Sequence, residues 1–210
     1  MKKWIGIIFI IFLVTGSFIN YSWGLSYKKL VSCYYNSYNF EKKQDYVDAI
    51  QSLMPVYNAY PKGYTVNLRL GWLYYLKGNY ANSEYHYKKA LRANPYSIEA
   101  MLGLSLPLMA QGRWRAVEEL MIKVLRIDYY NYLGNLRYCW ALLKDKKYRA
   151  AEKIAKKMLL IYPTDVRFLN CLGIAVYKEG KKIYAKSIFK NVLILSPNNI
   201  LAKKYLKNFR

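Results

Sequence analysis

Acidic, histidine and cysteine side chains are scarce in this chain, and their scarcity limits the chemistry open to it. The 210 residues include 12 Asp and Glu, one histidine and three cysteines. Cys33, Cys139 and Cys171 form no CxxC pair, and none is spaced from His86 as zinc ligands usually are. We therefore expect no metal site. The spacing leaves a Cys139–Cys171 disulfide open.

Motifs of the common catalytic and cofactor-binding sites are also missing. The chain contains no GxSxG, P-loop, HExxH or GxGxxG pattern. Its acidic residues are scattered and resemble ordinary helix-surface residues, as at Asp45, Asp48, Glu118 and Glu119. His86 stands among tyrosines, where a structural or exposed role is expected. The sequence thus predicts a non-enzymatic protein without a cofactor.

Proline is rare, with six residues, but four of the six follow one period. These are Pro61, Pro95, Pro163 and Pro197, separated by 34, 68 and 34 residues, and the missing point of the grid falls at Tyr129. A period of 34 residues is typical of helix-turn-helix solenoids. Proline at the end of each second helix blocks its continuation. The period therefore indicates a protein built to hold a partner.

The rest of the repeat can be read on the same grid. The most complete copy, at 64–97, contains Leu70, Gly71, Tyr74, Gly78, Tyr80, Ser83, Tyr87, Ala90 and Pro95. Small residues recur where paired helices must approach closely, at Gly71, Ser105, Cys139 and Gly173. The pattern resembles the tetratricopeptide repeat family over about 170 of the 210 residues. Asn67 and Asn135 depart from it, because they replace a large anchor residue.

This resemblance implies an all-α fold, a right-handed α-solenoid of about five helix-turn-helix repeats with a C-terminal capping helix. The repeats are expected at 30–63, 64–97, 98–131, 132–165 and 166–199, with the cap at 200–210. Breaks between the paired helices are expected near Lys43, Gly78, Gly112, Lys146 and Gly180. Pro55 and Pro107 fall inside helices, as tolerated irregularities or as deliberate bends.

The first 24 residues have the layout of an export leader. Two lysines precede an uncharged apolar stretch from Trp4 to Val14, and small residues follow. A cleaved signal peptide is one interpretation. The other is an uncleaved anchor, because the segment from Trp4 to Trp23 is long enough to cross a bilayer. Either way we expect the repeat domain, residues 25–210, in the periplasm or anchored to the inner membrane facing the periplasm.

Basic residues outnumber acidic ones by 34 to 12, and the imbalance is strongest from Lys146 onward, with 16 basic and three acidic residues. Many lie on the expected outer face: Lys147, Arg149, Lys153, Lys156, Lys157, Lys181, Lys182, Lys186 and Lys190. This face either keeps the chain soluble or contacts an anionic lipid, polysaccharide or acidic partner. Nucleic acid is disfavoured, because an exported chain does not meet it and no base-reading motif is present.

In this family the first helix of each repeat lines a concave groove. Carrying over its groove positions places the following residues there: Tyr34, Tyr38, Glu41, Leu68, Trp72, Tyr75, Leu102, Leu106, Met109, Leu136, Trp140, Leu143, Asn170, Ile174 and Tyr177. The lining is mostly apolar and aromatic, as in binding surfaces. Three interpretations stay open: the groove binds a partner segment, it is filled by residues 21–29 or by a second copy of the chain, or these residues are core.

The Lys and Asn clamp with which some family members bind a carboxyl terminus is absent from these positions. A chaperone co-factor is therefore disfavoured. The resemblance implies a scaffold of the cell envelope that binds another protein, within a range of roles that includes assembly of secretion or outer-membrane machinery. The alternative is a glycan- or anionic-surface-binding module associated with polysaccharide export.

Overall fold

The computed structural model describes residues 24–209, and these residues form eleven helices and no strands. The helices are α1 Tyr27–Lys42, α2 Tyr46–Ala59, α3 Tyr64–Leu76, α4 Tyr80–Ala93, α5 Ile98–Ala110, α6 Trp114–Ile127, α7 Tyr132–Lys144, α8 Tyr148–Leu159, α9 Val166–Lys178, α10 Lys182–Leu195 and α11 Ile200–Lys207. Each helix packs chiefly on its neighbours in the chain. The prediction of an all-α solenoid of helix pairs is confirmed.

The turn inside each repeat uses one residue in the left-handed backbone region, always at the same point of the 34-residue grid. Gly78, Gly112 and Gly180 occupy it with φ of 79°, 69° and 84°. Gln44 and Lys146 occupy it with φ of 61° each. Glycine enters this region without the steric cost that a side chain brings. The turns that hold Gln44 and Lys146 therefore carry strain that the three glycine turns avoid.

Polar residues begin the first helices on the same grid. Ser97, Asn131, Asp165 and Asn199 each accept a backbone N–H of the first turn of the following helix. Such a cap satisfies a donor that has no partner inside the helix. Gly63 is the member of this series without a capping side chain.

The core runs along the solenoid as three apolar clusters built between neighbouring helices. Close approach depends on Gly71 and Gly173. A Cβ added at Gly71 would lie 2.9 Å from the ring of Tyr87, and one at Gly173 would lie 2.7 Å from the ring of Phe189. Both positions therefore lack room for a side chain, as the register predicted. α2 and α5 continue through Pro55 and Pro107 without a break.

The two asparagines that replace large anchors tie loops between repeats. The side-chain amide of Asn67 donates to the carbonyls of Pro61 and Gly63 at 3.0 and 2.8 Å. Asn135 donates in the same way to Tyr129 and Asn131 at 3.0 and 2.9 Å. Both side chains are fully buried. Each of them therefore replaces apolar packing with two hydrogen bonds to backbone carbonyls of the loop before its helix.

A disulfide joins Cys139 of α7 to Cys171 of α9, with a Cα–Cα distance of 6.6 Å. The third cysteine, Cys33, is buried and free. The sequence left the pairing of Cys139 with Cys171 open, and in the structure the two residues are bonded.

Within residues 24–209, no helix is both long enough and apolar enough to span a bilayer. The predicted leader lies outside the described residues except for Gly24.

Candidate protein-binding groove

A cavity of about 480 Å³ opens on the first helices of the first three repeats. It unites six residues predicted for the groove: Tyr34, Tyr38, Leu68, Trp72, Leu102 and Leu106. Seven further residues line it that the groove register did not include: Tyr64, Thr65, Arg69, Tyr87, Glu99, Gly103 and Arg137. The cavity thus combines aromatic and aliphatic walls with two guanidinium groups and one carboxylate.

The remaining predicted groove residues lie outside this cavity. Tyr75, Met109, Leu136, Trp140 and Tyr177 are half-buried. In the last repeat Asn170 and Ile174 are only 7% and 8% exposed, as Leu143 is at 8% in the repeat before. For these three residues the interpretation as core fits, because packed side chains offer little surface to a partner.

The C-terminal segment packs against aromatic residues of the last repeat. Tyr177 packs edge-on against Tyr205 of α11 and against Phe209, with ring centroids 5.1 and 5.5 Å apart. Phe189 stacks on Tyr205 at 4.9 Å. The predicted groove residue Tyr177 is therefore packed against the chain's own C-terminal segment.

Arg69 is the central polar residue of the cavity and is only 7% exposed. Its Nε donates to Ser37 Oγ at 3.1 Å, one of its terminal nitrogens pairs with Glu41, and its guanidinium lies 3.8 Å from the ring centre of Tyr38. Glu41 also accepts the indole N–H of Trp72 at 2.7 Å. The other terminal nitrogen, Nη2, is buried and has no hydrogen-bond partner within residues 24–209.

Arg137, like Arg69, donates to a serine of the first helix in the preceding repeat. Its Nη1 donates to Ser105 Oγ at 2.6 Å and to the carbonyl of Leu102. Burial lowers the pKa of Arg137, while Tyr75 and Tyr87 act in the opposite direction. No carboxylate of the described residues forms an ion pair with it.

These two arginines belong to a second period of 68 residues, twice the length of one repeat. Residues equivalent by this period are Ser37 and Ser105, Tyr64 and Tyr132, Asn67 and Asn135, Arg69 and Arg137, and Trp72 and Trp140. The tyrosines behave alike, since Tyr64 bonds Ser97 at 2.7 Å and Tyr132 donates to Asp165 at 2.6 Å. The sequence carried this signal, but the single-repeat register did not use it. The equivalence does not extend to Glu41, because Met109 stands at its position in the later pair of repeats.

Several cations of the outer basic face form ion pairs with acidic residues of the preceding repeat. A ladder of ion pairs joins successive repeats, from Arg113 to Glu84, from Lys147 to Glu118 at 2.8 Å, and from Lys181 to Glu152 at 2.8 Å. Each pair is 29 residues apart, and each series follows the 34-residue grid. Glu118 is thus a bridge between repeats rather than the ordinary surface residue that the sequence predicted.

Glu152 also accepts Lys156 at 2.6 Å, and hydrogen bonds from Lys156 and Lys181 lower its pKa to about 2. Lys157 bonds the carbonyl of Tyr129 at 3.1 Å and lies 3.8 Å from that ring. Four of the nine predicted surface cations are therefore already engaged. The other five are exposed and form no ion pair within residues 24–209: Arg149, Lys153, Lys182, Lys186 and Lys190.

His86 is a packed residue of α4. Its Nδ1 lies 3.0 Å from Asn67 Oδ1, and because that oxygen only accepts, Nδ1 carries the proton. Its ring stacks on Tyr74 at a centroid distance of 5.3 Å. Burial, with a smaller contribution from Lys89, lowers the pKa of His86 to about 4. Among the described residues no group of three His, Cys, Asp or Glu is placed to hold a metal ion.

Comparisons with known proteins agree with this architecture. The family model described as Tetratricopeptide repeat matches residues 65–97. A search of curated protein sequences finds no match. Residues 65–97 therefore form a tetratricopeptide repeat, and the fold is that of a tetratricopeptide repeat solenoid.

Solved structures of this type superimpose over most of the chain. A tetratricopeptide repeat protein from Parabacteroides merdae ATCC 43184 has a TM-score of 0.79 at 18% identity, covering 86% of this chain and 72% of that one. MamA has a TM-score of 0.72 at 18% identity, covering 81% and 93%. YrrB, described as a TPR protein with an unusual peptide-binding site, has 0.72 at 13% identity, covering 81% and 88%.

Proposed function

We propose that this protein is a non-enzymatic scaffold that binds a segment of another protein in its concave cavity. One observation carries the proposal: the cavity of about 480 Å³ is walled by aromatic and aliphatic side chains from three successive repeats. Pockets of this size and lining suit the side chains of a bound segment, and aromatic residues are frequent anchors of such interfaces. YrrB, which shares the fold, is described as having a peptide-binding site, and this supports the proposal.

An array of 12-residue peptides of varied sequence tests it. The variants Tyr38→Ala and Leu106→Ala remove cavity walls, and Tyr38 is half exposed, so its loss should leave the fold intact. Tyr96→Ala is the matched control, because Tyr96 is exposed and outside the cavity. We expect both cavity variants to lose binding by about tenfold or more while the control binds like the wild type. Equal binding by all four proteins would contradict the proposal.

We further propose that the protein works in the periplasm, free or anchored to the inner membrane, in assembly of secretion or outer-membrane machinery. The lysines and apolar stretch of residues 1–24 support export. The Cys139–Cys171 disulfide also supports it, because disulfides persist in oxidising compartments. A reporter enzyme that is active only outside the cytoplasm, fused after Arg210, should be active. An inactive, stably expressed fusion would place the repeats in the cytoplasm.

A second candidate is binding to an anionic surface, either lipid or acidic polysaccharide. It is favoured by the exposed cations of α8 and α10, and on α10 large apolar side chains also face solvent, such as Ile183 at 90% exposure. Apolar groups beside cations suit a membrane interface. Co-sedimentation with vesicles containing anionic lipid tests it. Lys153→Gln with Lys190→Gln should weaken the association and its salt dependence, whereas Lys147→Gln, which alters a cation already paired with Glu118, should change it less.

The cavity can also be filled by a second copy of the chain. Of the other predicted occupant, residues 21–29, the last three belong to α1 and none of residues 24–29 lines the cavity. Analytical ultracentrifugation separates the first case from partner binding. A monomer at the concentrations used for the peptide array would exclude a stable dimer as the occupant.

A further inference from the structure

We propose that the protein recognises a carboxylate on the bound peptide, and that Arg137 and Trp140 are the groups that bind it. This inference deepens the proposed function and rests on it. The carboxylate would belong to an Asp or Glu side chain, or to a free C-terminus, next to an apolar residue that enters the cavity.

The first two repeats show what such a site looks like when it is complete. Glu41 pairs with Arg69 and accepts the indole N–H of Trp72 at 2.7 Å. Arg69 is held in place from the other side by Ser37 at 3.1 Å. A carboxylate that receives a guanidinium and an indole N–H is bound by two strong donors, one of them charged. Here the chain supplies that carboxylate itself.

The next pair of repeats has the donors and lacks the acceptor. Arg137 stands 68 residues after Arg69 and is anchored on Ser105, the equivalent of Ser37. Trp140 stands 68 residues after Trp72, and no hydrogen bond of its indole N–H is made within residues 24–209. The equivalent of Glu41 is Met109, whose thioether carries no charge.

A largely buried guanidinium without a carboxylate is costly, because burial removes water without supplying an opposite charge. Arg137 has one terminal nitrogen occupied by Ser105 and the Leu102 carbonyl, so its remaining donors are free for a ligand. The residue lines the cavity, and the cavity reaches solvent. A carboxylate entering with a ligand would complete the second site as Glu41 completes the first.

The walls of the cavity favour a peptide over an acidic glycan. Leu68, Leu102 and Leu106 present aliphatic surface, which suits an aliphatic or aromatic side chain better than the hydroxyl-rich rim of a sugar. Glu99 lies on the same cavity and accepts the hydroxyl of Tyr64 at 3.1 Å. Its negative charge repels a ligand carboxylate at that end, so we place the ligand carboxylate at Arg137.

The experiment is to supply the missing carboxylate from the chain. Met109→Glu restores the equivalent of Glu41, and Met109→Gln is the matched uncharged control. On the 12-residue peptide array, wild-type protein should prefer peptides with Asp, Glu or a free C-terminus. We expect Met109→Glu to lose these peptides by about tenfold or more and Met109→Gln to keep them. The indole N–H signal of Trp140 in an NMR spectrum should shift in Met109→Glu without peptide, which shows that the new side chain has reached it.

Each of the other possible results contradicts either the carboxylate site or the proposed function. Equal loss in both Met109 variants, or binding that ignores acidic residues and still depends on Tyr38 and Leu106, would overturn the carboxylate site and leave the peptide cavity standing. No peptide binding by wild-type protein would overturn the proposed function itself. Binding of oligogalacturonate with no peptide binding would assign the arginine to a glycan. Circular dichroism melting confirms that the variants compared are folded.

Discussion

Ser105 accepts a 2.6 Å hydrogen bond from Arg137, and one repeat later the same two positions hold Cys139 and Cys171, which form the disulfide. Ser37 and Arg69 fill these positions one pair of repeats earlier, at 3.1 Å. The same contact between the first helices of successive repeats thus occurs three times. An arginine donates a hydrogen bond to a serine in two of these places, and a disulfide makes the contact in the third.

The first prediction concerns the covalent version of this contact. Replacing both Cys139 and Cys171 by Ala should lower the free energy of unfolding by about 2–4 kcal/mol, because the bridge closes a loop of 32 residues and restricts the unfolded chain. Urea denaturation measures the change. The single variant Cys33→Ala is the control for loss of a buried sulfur.

Alkylation of the oxidised protein under denaturing, non-reducing conditions gives an independent check. Cys33 alone should react. Modification of all three cysteines would show that the bridge does not form.

A second prediction concerns the left-handed turn residue at Lys146. Lys146→Gly should raise the free energy of unfolding by about 0.5–1 kcal/mol, because its φ of 61° strains a residue with a side chain. Gly180→Ala, at the equivalent position with φ of 84°, should lower it by a similar or larger amount. The melting temperatures of the two variants should shift in opposite directions from that of the wild type. A shift of both melting temperatures in the same direction would contradict this explanation.

The third prediction tests the close packing of Gly173 on Phe189. Gly173→Ala should destabilise the protein by about 1–3 kcal/mol, because its Cβ would lie 2.7 Å from the Phe189 ring. Phe189→Leu makes room for the new Cβ. In its presence, Gly173→Ala should therefore lower the free energy of unfolding by less than it does in the wild type. A double-mutant cycle by denaturant unfolding measures the coupling, and additive costs would show that the two residues do not compete for space.

The fourth prediction concerns pH. The folded protein holds the pKa of His86 at about 4, below the ordinary value of about 6.5 that applies in the unfolded chain. Between these values the unfolded state binds the extra proton, so the contribution of neutral His86 is present above pH 6.5 and is lost as the pH falls toward 4. Relative to His86→Gln, we expect the wild type to lose about 3 kcal/mol across this window.

The free energy of unfolding of both proteins is measured at several pH values. The difference between the two proteins removes the contribution of carboxylates that titrate in the same pH range. A constant difference between wild type and His86→Gln would show that His86 is accessible to water in the folded state.

The sequence alone determined the helix pairs and the turns between them. Its signals are local: proline after four of the five second helices, glycine or its substitute at each left-handed turn, and apolar residues at helical spacing. Gly71 and Gly173 could also be assigned to close contacts, because paired helices come from one continuous stretch of chain. These features depend on short distances along the sequence, so the residues that decide them can be read directly.

Only the tertiary structure decided which side chains are free to bind. Contacts between repeats join residues about 30 positions apart, and no local preference encodes them. Glu41 satisfies Arg69 and Trp72, and Glu118 neutralises Lys147. At the last repeat, burial removes Asn170 and Ile174 from the groove. The physical reason is that exposure and charge pairing belong to the stacked array, whereas the 34-residue period belongs to each repeat by itself.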